Sequence, residues 1–293
     1  MGVLQLLVSG ITIGMVYGLV ALGYHLIFRA TGLIDFAQGE KVALGGLFVL
    51  AVIGLVGENL WAAIIVATIM GFALGWFYEW GILRRTYGRE QVVQIIATVG
   101  VALLLYHGHG LFWGLPAVPF PYSLGGDRDK VITLWGLRVL EDRFWVWGLV
   151  IAVVALLHVY FERTRHGQAL IASADNELGA KLSGINVKAM RLHAVGVATA
   201  LAVLGGAFIA PFTLAGGSIG MPIAVKAFAG AMIGGLHSSV GVVAGSVLVG
   251  VIESLAAGLI SYGYRDPVAF ALLLLILLLR PSGIFARPRE RIG

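Results

Sequence analysis

The chain has 293 residues, 59% of them hydrophobic and only 12% charged, about half the charged share of roughly 25% usual in a soluble domain. That balance excludes a water-soluble fold with a large core, since residues 1–28 contain no charged side chain to solvate an outer face. The net charge of +5 lies along connections between apolar runs, which points to membrane topology and not to a nucleic-acid partner; the absence of cysteine removes disulfide and thiol chemistry.

Apolar runs separated by charged or Pro/Gly-rich breaks predict helical segments over 4–28, 33–56, 61–83, 92–114, 144–161, 192–215, 223–239, 240–262 and 264–280. The first lacks a basic leader and is too long for a cleavable signal, so it reads as a retained span. The seventh follows a Gly/Pro-rich stretch and reads as broken or re-entrant. The ninth is close to the lower limit of roughly 17 residues for a span. The expected fold class is therefore all-α: a polytopic transmembrane helix bundle of about 8–9 spans, forming one domain over 1–293. Glycine supports tight packing, with 42 residues, about twice the usual share of roughly 7%. Gly10, Gly14 and Gly18 recur four apart, as do Gly71 with Gly75, Gly230 with Gly234 and Gly241 with Gly245, the spacing that lets helix backbones approach closely in lipid.

Charge sets the expected orientation. One set of connections carries Arg29, Lys41, Arg84, Arg85, Arg89, Arg163, Arg165, Lys181, Lys188, Arg191, Arg280, Arg287, Arg289 and Arg291, which is 14 of the 20 basic residues. The largest opposite loop, 115–143, balances its basic residues with Asp127, Asp129, Glu141 and Asp142. The positive-inside rule then places the first set in the cytoplasm, the N-terminus outside and the C-terminus inside. The prolines and aromatics of 115–143 suggest an ordered external cap, suited either to a docking solute-binding protein or to an inert connector.

Three stretches and a few single residues carry chemistry. Residues 32–41, GLIDFAQGEK, set Asp35, Gln38, Glu40 and Lys41 between two apolar runs, as either a solvated cytoplasmic turn or a broken helix at the inner mouth of a pathway. A second interruption at 216–230 lies in the other half of the chain, and paired interruptions of this kind point to an inverted repeat around a central site. Glu253, mid-segment, requires a partner such as Lys226, and a simple hydrogen-bonding role would tolerate Gln far better than Leu. Glu79, one turn before Arg84, is expected to reach toward the interface. His107 and His109, two apart, face different ways and read as polar packing near the outer boundary. Residues 162–191 are the most polar stretch. Asp175 or Asn176 can cap a short helix, Gly184 can end it, and Leu178 with Leu182 forms an apolar face. A two-to-three-turn docking helix or a plain connection both fit. No acid/base set, metal-ligand spacing or phosphate-binding G-x-x-x-x-G-K-[ST] loop stands out, so neither a catalytic site nor a cofactor is expected in this chain.

Several stretches resemble a known family. GITIGMVYGLVALGYHLIF with GLIDFAQGE, then RTRHGQALIASADNELGAKLSGINV, VKAFAGAMIGGLHSSVGVVAGSVLVGVIES and LLLRPSGIFA together resemble the branched-chain amino acid type permeases of bacterial ABC importers, across nearly the whole chain. The resemblance implies a type II-like permease of the bacterial inner membrane without enzymatic activity. Its implied partners are a second permease, giving a hetero- or homodimer, two cytoplasmic ATPase subunits that bind ATP and Mg, and a periplasmic solute-binding protein. It also implies that Asp175, Asn176, Glu177, Leu178, Ala180, Leu182 and Gly184 form the helix that couples to the ATPase. Asp35 stands where the family usually has Asn, and Lys41 where an apolar residue is usual. These two can pair with each other or tune the inner mouth. Relatives carry leucine-type amino acids, urea, short amides or aromatic and alicyclic carboxylates. The rival class is an ion-gradient-driven secondary transporter using Asp35, Glu40 and Glu253.

Overall fold

A computed structural model of the chain describes residues 2–114, 116–126, 130–134, 137–279 and 283. The helices are α1 (Val3–Thr31), α2 (Gln38–Val52), α3 (Leu60–Tyr78), α4 (Gln91–Trp113), α5 (Glu141–Arg163), α6 (Arg165–Asp175), α7 (Glu177–Leu182), α8 (Val187–Ile209), α9 (Gly220–Gly234), α10 (Ser239–Leu259) and α11 (Arg265–Leu279). Among the described residues, seven helical stretches are long and apolar enough to cross a membrane. α9, at 15 residues, spans about 22 Å, too short to cross a hydrocarbon core of about 30 Å unaided. This fits the broken or re-entrant reading of the seventh segment. α11 also has 15 described residues, and Arg280, Arg287, Arg289 and Arg291 lie outside the described residues.

Local chemistry sets the element ends. Asn59, Thr164, Asn176, Asn186 and Ser238 each accept a backbone N–H of the helix that follows, meeting donors that a first turn leaves unpaired. α3 runs on through a π-helical turn at Glu79–Leu83. Glu79 lies wholly buried in that turn and pairs with Arg84 at 3.2 Å, so it does not reach out to the interface as expected.

α1 and α8 form the centre, and close backbone approach decides their neighbours. A Cβ on Gly10 or Gly14 would lie 2.6 Å from the Cα of Val251 or Val247 in α10. Gly71 and Gly75 of α3 face Val203 and Thr199 of α8, and Gly230 with Gly234 meets Ser246 and Gly241 of α10. The four-residue glycine spacing thus marks helix crossings. α4 is the most peripheral span: among its described residues only Thr98, Val101 and His109 are buried.

The loop 115–143 adds one short hairpin to the helical bundle. Val131–Leu134 (β1) and Leu137–Leu140 (β2) pair antiparallel, Val131 opposite Leu140. Alternation was hidden here because the strands are only four residues long. Among its described residues, the Ser123 hydroxyl and Gly125 N–H donate to Asp142 at 2.7 and 2.8 Å. Val118 exchanges two backbone hydrogen bonds with Ala215, tying the loop to the turn before α9.

Candidate functional site

The stretch 32–41 is a broken helix and not a solvated turn. Gly32, at φ +72°, ends α1 in the left-handed conformation that glycine adopts without strain. The chain then turns back, and Asp35, Gln38, Glu40 and Lys41 are all buried. The Gln38 amide donates to the carbonyls of Val20 and Ala198 at 3.5 and 3.4 Å. Val20 precedes Thr31 by eleven residues, so α2 begins about 16 Å back along α1, within the bundle. Lys41, assigned from sequence to the cytoplasmic set, is therefore an interior residue.

Burial of Asp35 and Lys41 is tolerated because each has partners. Lys41 Nζ forms an ion pair with Asp35 Oδ2 and stands 4.3 Å over the Tyr78 ring. The Tyr78 hydroxyl and the Ala37 N–H both donate to Asp35 Oδ1 at 2.9 Å. Asp35 and Lys41 do pair with each other, and Tyr78 is the member that sequence spacing could not supply.

The second interruption meets the first. A Cβ on Gly39 would lie 3.1 Å from the Gly220 carbonyl oxygen, and one on Gly220 would strike the Gly39 carbonyl. From that point α2 runs toward Ala210 and Ala215, both against Gly46, whereas α9 runs toward His25, whose Nδ1 meets the Leu236 carbonyl at 2.7 Å. The two half-helices thus start back to back and run to opposite ends of the bundle. Their partially positive N-termini converge at its middle, the arrangement expected of inverted repeats. Glu40 lies at this junction with His109 of α4, their Oε2 and Nε2 atoms 3.7 Å apart. The two histidines do face apart, His109 buried and His107 exposed, but His109 belongs to the junction and not to outer packing.

A third cluster gathers around Glu253. Lys226 Nζ lies 2.9 Å from Glu253 Oε1 and 2.6 Å from Asp266 Oδ1. Arg265 Nε also pairs with Glu253, and the Tyr17 hydroxyl donates to Glu253 Oε2 at 2.9 Å. The expected Lys226–Glu253 pair is present inside a larger balanced set of two carboxylates and two cations. Arg265 and Asp266 escaped the sequence reading because they sit at the start of α11, where charges look solvated.

The polar stretch 162–191 contains α6 and α7. Asn176, not Asp175, is the cap: its side chain accepts the Gly179 N–H at 2.8 Å. The helix is shorter than expected, six residues, because Gly184 turns left-handed at φ +81° and Ile185 N–H bonds back to Ala180 O at 2.9 Å. Ala180 is buried, while Leu178 and Leu182 are 69% and 81% exposed. Glu177 pairs with Lys181 and with Arg191 of α8, both at 2.7 Å, and those hydrogen bonds hold its carboxyl below the usual carboxylate range. Arg191 also donates to the Ala30 carbonyl at 3.4 Å and stacks 4.6 Å over the Tyr87 ring. One side chain therefore joins α7 to the end of α1 and to the α3–α4 connection. Asn176→Ala is expected to destabilise α7 by about 1 kcal/mol, seen as faster amide exchange at Gly179 with the spans unaffected.

Comparison with known proteins agrees with this architecture. Residues 6–279 match the family described as branched-chain amino acid transport system / permease component. The high-affinity branched-chain amino acid transport system permease protein LivH of Salmonella typhimurium is 28% identical over 300 residues, covering 97% of this chain and 96% of the relative. The corresponding permease protein BraD of Pseudomonas aeruginosa is 30% identical over 295 residues, again 97% and 96%. Among solved structures, PsaBC from Streptococcus pneumoniae in complex with Fab is similar in fold, with a TM-score of 0.50 at 17% identity over 96% of this chain and 93% of that one. A nearly helical bundle with apolar spans, two converging half-helices and a full-length family match lead to one assignment: the chain belongs to the branched-chain amino acid transport system permease components.

Proposed function

We propose that this chain is the membrane-spanning half of an ATP-driven importer for a branched-chain amino acid or a related small polar or carboxylate solute, powered by partner subunits that bind ATP and Mg. The observation that carries the reading is α7: a short, firmly capped helix whose Leu178 and Leu182 face outward in a stretch too polar to enter lipid. Exposed leucines on a rigid polar-flanked helix suit a protein partner, here a cytoplasmic ATPase gripping residues Asp175 to Gly184. Closure of two such ATPases would displace α7, and the Glu177–Arg191 link would carry that displacement to Ala30 and Tyr87, hence to α1 and the α3–α4 connection. A second permease, the same or different, would complete the pathway, and a periplasmic binding protein would deliver solute at the 115–143 cap. This orientation puts the N-terminus outside and the C-terminus in the cytoplasm, in a bacterial inner membrane. The solute would pass the junction of Asp35, Gln38 and Glu40, with Lys226 and Glu253 bordering the path.

Against ion-gradient drive, Asp35 and Glu253 are each tied to a cation of the same chain, which leaves them poorly suited to releasing and rebinding a coupling ion. Leu178→Asp and Leu182→Asp are expected to insert and fold normally, yet cut ATP-driven uptake by about tenfold or more with ATP hydrolysis retained. Unchanged uptake per ATP in both variants would remove α7 as the docking helix. Uptake that continues in vesicles without any ATPase would remove the importer reading itself.

A further inference from the structure

The α3–α4 connection carries donors that the described residues do not satisfy. Arg84 Nε, the Tyr87 hydroxyl and Glu79 Oε1 are shielded and make no hydrogen bond among them. The Arg84 guanidinium is held from one side, by Nη2 on Glu79 Oε2 at 3.2 Å, and remains 33% exposed. Arg84, Arg191 and Glu79 all act electrostatically on Tyr87, which puts the four in one cluster. Arg85 and Arg89 follow on the same connection, both exposed, and neither forms an ion pair among the described residues. Against these three arginines, residues 84–90 contain one carboxylate, Glu90. Membrane topology accounts for exposed arginines at a span end. It does not account for shielded donors left without an acceptor, which are costly.

The surroundings define what would fit. Phe77 and Trp80 are 73% and 57% exposed, with their rings edge to face at 6.1 Å. Both lie on the apolar stretch Leu60–Thr86, within two turns of Arg84, so an apolar surface passes directly into a basic one. Tryptophan favours the head-group level of a bilayer, and Trp80 thereby sets the depth of Arg84. A Cβ on Gly81 would meet nothing within 4 Å, which leaves the wall between Trp80 and Arg84 open. That wall is the π-helical turn, a distortion that often accompanies function. A soluble anion would use the arginines and ignore the rings. A zwitterionic lipid would cover the rings but bring its own cation against the arginines. An anionic phospholipid meets both: its phosphate oxygens accept from guanidinium and hydroxyl donors, and its chains cover the aromatic surface.

We propose that Arg84, Arg85, Arg89 and the Tyr87 hydroxyl hold the phosphate of an anionic phospholipid whose acyl chains lie on Phe77 and Trp80. Basic groups gathered between spans at the membrane surface suit such head groups. The Tyr87 ring also carries Arg191 at 4.6 Å, so the lipid sits beside the side chain that joins α7 to α1. In the orientation proposed above this is the inner leaflet. The site itself does not depend on the importer reading.

The test uses the full-length chain with whatever subunits co-purify with it in neutral detergent. Native mass spectrometry reads bound ligand during titration with dioctanoyl phosphatidylglycerol, dioctanoyl phosphatidylcholine or glycerol 1-phosphate. Phosphatidylglycerol is expected to bind saturably and about tenfold more tightly than either of the others. Arg85→Gln/Arg89→Gln should weaken it about 25-fold, about fivefold per arginine, and leave phosphatidylcholine unchanged, while Arg85→Lys/Arg89→Lys should recover most of the loss. Tyr87→Phe should weaken it about fivefold, with melting in the absence of added lipid as the folding control. Equal binding of the two lipids by the wild-type protein would overturn the proposal without recourse to any variant. So would the absence of saturable phosphatidylglycerol binding, which would mean that a partner subunit covers Phe77 and Trp80. Glycerol 1-phosphate as potent as phosphatidylglycerol would overturn the lipid in favour of a soluble anion. Undiminished phosphatidylglycerol binding by the double Gln variant, with a subunit lost from the complex, would make the arginines a protein contact instead. None of these readouts requires transport, so failure here leaves the importer reading intact.

Discussion

Replacing Glu253 by leucine is expected to destabilise the bundle by about 3–5 kcal/mol, because breaking one member of a buried ion cluster leaves its partners uncompensated. Lys226 would keep Asp266 at 2.6 Å, but the Arg265 guanidinium would lose the carboxylate it pairs with. A purely hydrogen-bonding Glu253 would tolerate Gln far better than Leu, but two cations converge on it, so charge is the requirement and Gln should be nearly as damaging. A Glu253→Leu/Arg265→Leu pair should recover part of the loss, since both unpaired charges are then gone. Chemical denaturation in nanodiscs checks this. A Gln variant as stable as the wild type would refute the charge-balance account.

Gly206→Ala should be among the most harmful single methyl additions at the described residues. A Cβ there would strike the Val42 carbonyl of α2, and one on Gly45 would reciprocally strike the Val203 carbonyl of α8. Backbone cannot rotate aside as a side chain can, so α2 and α8 must separate along the contact that carries the broken-helix junction. Overpacking of this kind costs about 1–3 kcal/mol, and the upper end is expected because both obstacles are main chain. Gly100→Ala in α4 is the matched control: its Cβ would meet nothing within 4 Å, and alanine favours the helix by about 1 kcal/mol. Equal melting of the two variants would mean that the α2–α8 crossing is looser than described.

The class of the protein and much of its plan were legible in the chain. Apolar runs of span length register directly, because lipid forces every backbone polar group to be satisfied within the helix. The four-residue glycine spacing located the close crossings for a similar reason: only glycine admits a neighbouring backbone at that distance. The ends of α7 were also readable, since Asn176 and Gly184 act through local geometry within a turn of their own positions. The Asp35–Lys41 and Lys226–Glu253 pairs could be anticipated because intramembrane charges must find opposite charges. Their third members could not. Tyr17, Tyr78, Arg265 and Asp266 reach these clusters from distant helices, and no periodicity records which helices become neighbours.

Composition and pattern by themselves determined that this chain crosses a membrane many times, and they marked two interruptions and a polar stretch with helix-capping residues between spans. Only tertiary structure decided that the two breaks abut at Gly39 and Gly220, that His109 joins Glu40 there, and that Arg191 ties α7 to α1. The physical reason is range: hydrophobic length, caps and glycine conformations act within a few residues, whereas pairing of buried polar groups depends on how whole helices pack.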